Sequence, residues 1–389
     1  SPRILAGRVN DLIAQRRQSL IVDEIHEYRN PDARRTRALL ALATRTSHVV
    51  GLTGTLVYNC VADLFPALVA IKQLTQKDEQ YFLDRYCGGK EATSTHWKAR
   101  PMGLTNEVEL REYLTTCVLH RTRTDLGRDL PPITRHPVDV DLDEPSQYAQ
   151  TQAEVAAWLN VYASSAPPET KMIRLNKLRR VGALGKVPVT IATVQHFLDA
   201  GEKVVVACSF LEPLRRLQRA FPQAMRIDGA VTQRKRHGLI QQFQSAAGPQ
   251  VALLSIKAGG VGITLTAARI LLVLDLPWCP AELEQVEARV YRETQTRPVA
   301  IYYLLGRGTI DKTMAGILRK KARWCERLFK QSSADPVDAI QTIIDHVTHF
   351  PKEEAYHELA IHMGRRAGDS TDRQVGALRS DFGPVLRAA

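Results

Sequence analysis

Asp23 and Glu24 stand side by side where a short apolar run, Ser19 to Val22, stops, and His26 follows two residues later. In phosphoryl transfer, charge spreads over the moving group. A site for it needs a carboxylate to hold a metal ion, a group to orient water, and cations to meet the developing charge. Asp23 suits Mg²⁺ held through its water shell, Glu24 suits polarising the attacking water, and His26 suits a link from that pair to groups across a cleft. Further on, Gly51, Leu52, Thr53, Gly54 and Thr55 close the next apolar run. The Thr53 and Thr55 hydroxyls there could relay the state of a bound nucleotide. Taken alone, the first group is also what a solvated acidic turn looks like, and the second a tight turn with hydroxyl caps.

The second half offers complementary chemistry. Ser255, Ile256, Lys257, Ala258, Gly259 and Gly260 follow a continuous apolar run, and glycine lets backbone amides approach a phosphate closely. Gln285, Arg289 and Arg292 are spaced i, i+4 and i+7, which predicts one face of a helix. Such a face can present two guanidinium forks to a phosphate, or it is a solvated charged surface.

These residues need strand ends and loops to hold them. Apolar runs at 19–22 and 49–52, with a helical pattern at 32–43 between them, predict parallel strands joined by a crossover helix. Helical patterns follow at 60–74, 79–86 and 106–117, then Leu130, Pro131 and Pro132 break the chain and 136–142 alternates as a strand. A helix at 146–163 leads to a Ser- and Pro-rich loop at 164–169. A second β/α series follows, with helices at 187–200, 211–220, 231–244 and 309–330 and strands at 203–209, 226–229, 251–255, 270–275 and 300–305. It predicts a second parallel sheet. The expected domains are a first lobe at 1–145, a linker at 146–175, a second lobe at 176–332 and a helical tail at 333–389 with no role assigned.

Composition bounds the class. The 389 residues are 44% hydrophobic, enough for two or three ordinary cores. No apolar run approaches the ~18 residues of a spanning helix, no secretory pattern opens the chain, and no membrane partner is expected. Six scattered cysteines form no C-x-x-C pair, which argues against a zinc site and fits a reducing intracellular setting. Residues 1–150 hold 20 Lys and Arg against 19 Asp and Glu, and 151–389 hold 33 against 22. A polyanion would therefore be met mainly by the second half.

In order, these motifs resemble the Swi/Snf-type DNA translocases of helicase superfamily two, over about residues 15–330. Asp23, Glu24, Ile25 and His26 look like the DEAH box, with Arg29 and Asn30 following as in the family. Thr53 to Asn59, Leu119 to Arg123 with Leu130 to Pro132, Ser255 to Leu265, Trp278 with Pro280, and Gln285 to Gln295 are similar to further family motifs. Phe82, Arg85, Tyr86 and Cys87 look most like the annealing-helicase branch, which remodels forked DNA. The resemblance implies two RecA-like α/β lobes with parallel sheets, the first incomplete, and ATP with Mg²⁺ as cofactors. It implies that Asp23, Glu24 and His26 act in hydrolysis and that Arg289 and Arg292 are arginine fingers. Thr53, Gly54, Thr55 and Gln285 would couple nucleotide to motion, while Ser209, Ser255, Lys257, Gly259 and Gly260 would touch double-stranded or forked DNA. Thr264 and Cys279 depart from the family pattern, each standing where an Asn is usual.

No G-x-x-x-x-G-K-[ST] phosphate loop occurs in the 389 residues. The chain, which begins at Ser1 rather than Met, is therefore expected to be inactive alone and to need an upstream segment or a separate subunit for that loop. Two other readings stay open: a non-catalytic DNA-binding or regulatory remnant, and a strand-separating helicase. The expected location is with DNA, in the nucleus of a eukaryote or the nucleoid or cytoplasm otherwise.

Overall fold

The computed structural model describes residues 2–15, 18–88, 103–121, 130–162, 165–257 and 263–329. They form two compact units: the first takes in the described residues up to 121 and from 320 on, the second those from 130 to 319. The expected tail at 333–389 lies outside the described residues.

In the first unit α1 (Pro2–Ala14) precedes β1 (Ser19–Val22), α2 (Arg34–Thr44) and β2 (His48–Gly51). The two strands pair in parallel with Val22 opposite Gly51. A Cβ at Gly51 would stand 2.6 Å from Ile25 Cδ1, so any other residue there would have to displace that side chain. Val22, Ile25, Tyr28, Leu39 and Leu40 form the core beneath the strands. Then come α3 (Leu64–Ala70), α4 (Glu79–Tyr86) and α5 (Glu107–Thr115). Before α4, Asp78 accepts hydrogen bonds from the Thr75 amide and hydroxyl, both at 2.7 Å, capping the helix entry. Phe65, Phe82, Leu110 and Leu114 fill a second core.

The second unit holds β3 (Ile133–Val140), α6 (Pro145–Tyr162), α7 (Pro168–Gly185), α8 (Val187–Asp199), β4 (Val204–Cys208), α9 (Leu211–Ala220), β5 (Met225–Ile227), α10 (Gln233–Gln244), β6 (Val251–Ser255), β7 (Ile270–Val273), α11 (Pro280–Val290) and β8 (Val299–Gly306). Its six parallel strands run in the order β3-β8-β7-β4-β6-β5. β4, β6, β7 and β8 are buried at every residue, so each reads as an unbroken apolar run, as strands covered on both faces do. β3 carries Pro137 and sits at the sheet edge, where a missing amide breaks no ladder. The last helix, α12 (Asp311–Phe329), contributes Trp324 and Leu328 to the first unit's helical core.

Two expectations are corrected. The strand expected at 136–142 is β3, and it pairs with β8 from Ile133↔Val299 to Val140↔Gly306. It therefore belongs to the second unit, and the first lobe ends before it rather than at 145. The segment 146–175 is α6 and the start of α7, not a linker. Pro167 and Pro168 read as helix breakers, yet Pro168 opens α7, where its missing amide has no intrahelical partner to lose.

Candidate functional sites

In the first unit the end of β1 and the end of β2 are laced together. The Leu52 amide donates to the Val22 carbonyl (2.8 Å) and the Ile25 amide to the Leu52 carbonyl (2.9 Å). This brings Asp23, Glu24 and His26 against Thr53, Gly54 and Thr55. Asp23 is exposed and its Oδ1 accepts the Glu24 amide at 3.0 Å. Glu24 has φ 50° and ψ 52°, a left-handed backbone costing about 1–2 kcal/mol for a residue with a Cβ. Such strain persists where the surroundings over-determine it.

His26 is only 5% exposed, and its Nδ1 lies 2.8 Å from Thr53 Oγ1 and 3.2 Å from Glu24 Oε2. The Thr53 hydroxyl donates to the Thr55 carbonyl (2.9 Å) and accepts the Thr55 amide (3.0 Å). In the tautomer protonated at Nδ1 the imidazole donates to Thr53 Oγ1, which donates onward to the Thr55 carbonyl, while Nε2 faces Glu27 Oε1 at 3.7 Å. His26 thus joins Glu24 to the threonine turn. Gly54 is open to solvent, with nothing within 4 Å of where a Cβ would be.

Asp23 at a strand end fits Mg²⁺, which keeps most of its water and takes one or two carboxylates plus phosphate oxygens. Among the described residues no cluster of three or more His, Cys, Asp or Glu could hold a metal by itself.

In the second unit Ser209 and Ser255 lie at the carboxyl ends of parallel strands, where open α/β sheets bind ligands, while Gln285 and Arg289 are on α11 and Arg292 follows it. Ser255 ends β6 and is buried, and Ser209 follows β4 beside it, with Cys208 opposite Ser255. Lys257 is exposed. Gly259 and Gly260 lie outside the described residues. α11 stops at Val290, so Arg292 is not on the helix face that its spacing from Gln285 predicts. Arg289 is buried and Arg292 exposed, yet both reach the Ile263 carbonyl, at 3.3 and 3.4 Å. Arg292 also donates to Thr264 Oγ1 at 2.9 Å. Buried Gln295 ties the same segments together, donating to the carbonyls of Ala268 (2.9 Å) and Val290 (3.2 Å).

A network that the sequence reading missed supports these strand ends. Arg179 Nη2 donates to Asp275 Oδ2 at 2.9 Å, and its guanidinium lies 5.0 and 5.3 Å from the centres of the Trp278 and Phe210 rings. Asp275 Oδ1 accepts the Ser209 amide at 2.7 Å. Asn176 Oδ1 accepts from both Arg179 and Trp278, each at 3.0 Å. The signal for it was α7 itself, which places Asn176 and Arg179 one turn apart. Burial, and then the Asp275 charge, push the neighbouring Cys208 thiol well above its usual range, so it stays a neutral packing group. Behind α11, Glu287 accepts from Arg135 at 2.9 and 3.1 Å and from the Tyr303 hydroxyl.

The sequence matches the SNF2-related domain over residues 4–180 and the helicase conserved C-terminal domain over 189–294. It is 30% identical over 318 residues to the human "DNA annealing helicase and endonuclease ZRANB3", covering 78% of this chain and 29% of that protein. It is 26% identical over 390 residues to the Drosophila melanogaster "SWI/SNF-related matrix-associated actin-dependent regulator of chromatin subfamily A-like protein 1", covering 97% of this chain and 49% of that protein. The chain thus spans about three-tenths to one-half of the length of these curated relatives. Among solved structures it is similar to the "Sulfolobus solfataricus SWI2/SNF2 ATPase core in complex with dsDNA", at 22% identity and a TM-score of 0.42 over 86% of this chain and 71% of that one. With an SNF2-related domain followed by a helicase C-terminal domain, the chain belongs to the Swi/Snf-type, helicase-like family of superfamily two.

Proposed function

We propose that this chain is the larger part of an ATP-driven motor on double-stranded or forked DNA, of the annealing-helicase kind named for its relatives. The observation that supports this most is the imidazole of His26, 2.8 Å from Thr53 and 3.2 Å from Glu24. It joins the carboxylate that would polarise water to the turn that would report nucleotide state.

In this reading Asp23 would hold, through water, a Mg²⁺ ion, which would supply positive charge against the phosphate oxygens. Glu24 orients the attacking water, with His26 Nδ1–H fixing its carboxylate. Arg289 and Arg292 meet the developing charge, Arg292 being the exposed one, and Gln285 with Thr53, Gly54 and Thr55 couples hydrolysis to movement. Ser209, Ser255, Lys257, Gly259 and Gly260 grip the DNA backbone.

No phosphate loop motif lies in the 389 residues, so in this proposal the cradle for ATP comes from polypeptide beyond this sequence. That absence favours one second reading, a DNA-binding or regulatory remnant that hydrolyses nothing in any assembly.

ATP hydrolysis with and without duplex DNA, run beside a DNA titration at several salt concentrations, tests the proposal. The expected result is salt-dependent DNA binding with little turnover, and DNA-stimulated turnover once polypeptide carrying the loop is added. Binding with no turnover even then favours the remnant, and a chain that neither binds DNA nor hydrolyses ATP overturns both.

A further inference from the structure

Tyr58 is not among the residues to which the proposed chemistry assigns a role, yet it makes an aromatic contact to the buried imidazole. Its ring is stacked on that of His26, with centroids 5.2 Å apart and planes 11° from parallel, within the range where offset stacking is favourable. The guanidinium of Arg29 lies 3.9 Å from the centre of the Tyr58 ring, and the same guanidinium donates through Nη1 to the His26 carbonyl at 3.2 Å. The His26 backbone, Arg29, Tyr58 and the His26 ring therefore make a closed loop of contacts.

Nothing intrinsic to histidine holds this ring. Its second side-chain torsion is broad and roughly two-fold, whereas the hydrogen bond between Nδ1 and Thr53 Oγ1 needs its direction to lie near the imidazole plane, with Glu24 Oε2 close by at 3.2 Å. A stacked ring removes that freedom, and a cation over the outer ring helps to hold the stack. We infer that Tyr58, clamped by Arg29, is a positioning residue that fixes the plane of His26 and thereby keeps Glu24 and Thr53 joined. The inference rests on the reading of Glu24 and His26 as hydrolysis machinery only for its effect on turnover.

The test is the ¹⁵N spectrum of the histidine side chains in the intact chain, with His26 identified among the 11 histidines by His26→Gln. The unaltered protein and Tyr58→Phe should show His26 as a single tautomer protonated at Nδ1. Tyr58→Gln should show Nδ1 and Nε2 forms averaged, with thermal unfolding of the other elements little changed. Should Tyr58→Gln fail to fold, Arg29→Met decides, because it leaves the tyrosine in place and removes its clamp, and the same averaging is expected. A single unchanged tautomer in the folded variants overturns the inference. In a complete hydrolysing assembly Tyr58→Gln should lower kcat about a hundredfold with KM for ATP little changed, the size of effect that a misplaced group produces. Absence of any hydrolysis before substitution would count against the proposed function and not against the stack, which the tautomer reports independently.

Discussion

Arg292 and Thr264 are joined by a hydrogen bond, Nη1 to Oγ1, at 2.9 Å. Arg289 reaches the neighbouring Ile263 carbonyl at 3.3 Å, so the segment after the glycine-rich stretch and the end of α11 are one hydrogen-bonded body. A guanidinium that holds Thr264 has to turn outward to meet a phosphate, and Arg292 is the one of the pair with access to solvent. In a complete assembly Arg292→Ala should cost on the order of a thousandfold in DNA-stimulated turnover, as other arginine fingers do, with DNA affinity retained. Steady-state kinetics beside a DNA titration decides it, and unchanged turnover would show that this arginine serves only to hold Thr264.

Glu24 combines a left-handed backbone with the chemical role proposed for it. Glu24→Gln keeps the shape and an acceptor for His26 but loses the charge that polarises water. DNA binding should persist and hydrolysis should fall nearly to background. Glu24→Gly should also abolish hydrolysis yet leave the first unit as stable or up to about 1 kcal/mol more so, because glycine adopts the left-handed backbone without the Cβ penalty. Chemical denaturation reads the stability, and a marked loss of it would mean that the Glu24 side chain holds the turn together.

The Arg179 and Asp275 pair is buried on both sides, 4% and 2% exposed. Asp275→Ala leaves a buried guanidinium without its carboxylate and the Ser209 amide without its acceptor. The expected loss is about 3–5 kcal/mol in the second unit, read as a lowered urea midpoint. An effect under about 1 kcal/mol, the size typical of a surface pair, would show that water replaces the carboxylate.

His136 stacks on Tyr302 with centroids 4.9 Å apart, and burial lowers its pKa from the ordinary 6.5. The unfolded chain then takes up this proton at higher pH than the folded one. Stability is full above 6.5 and declines as pH falls from there toward the depressed folded value. His136→Phe keeps a ring against Tyr302 and removes the titration, so its melting temperature should fall less between pH 7 and pH 5, an interval spanning the usual histidine range. Parallel melting curves for the two proteins would refute the assignment.

Residue order alone determined much of this protein. α4 at Glu79–Tyr86, α9 at Leu211–Ala220 and β6 at Val251–Ser255 are marked by their own periodicity and ends. The acidic turn, the threonine turn and the arginines are legible as residue types in a fixed order, and it is that order, rather than any one group, that resembles the family. Tertiary structure decided the rest. β3 joined the second sheet because β8 offers an edge matching its whole length, which no local pattern records. Arg292 fell beyond its helix and Arg289 went inside, and both reach the Ile263 carbonyl. The Arg179 network and the Tyr58 stack join residues far apart in the chain, or of types with no chemical signature, and appear only when folding brings charge against charge and ring against ring.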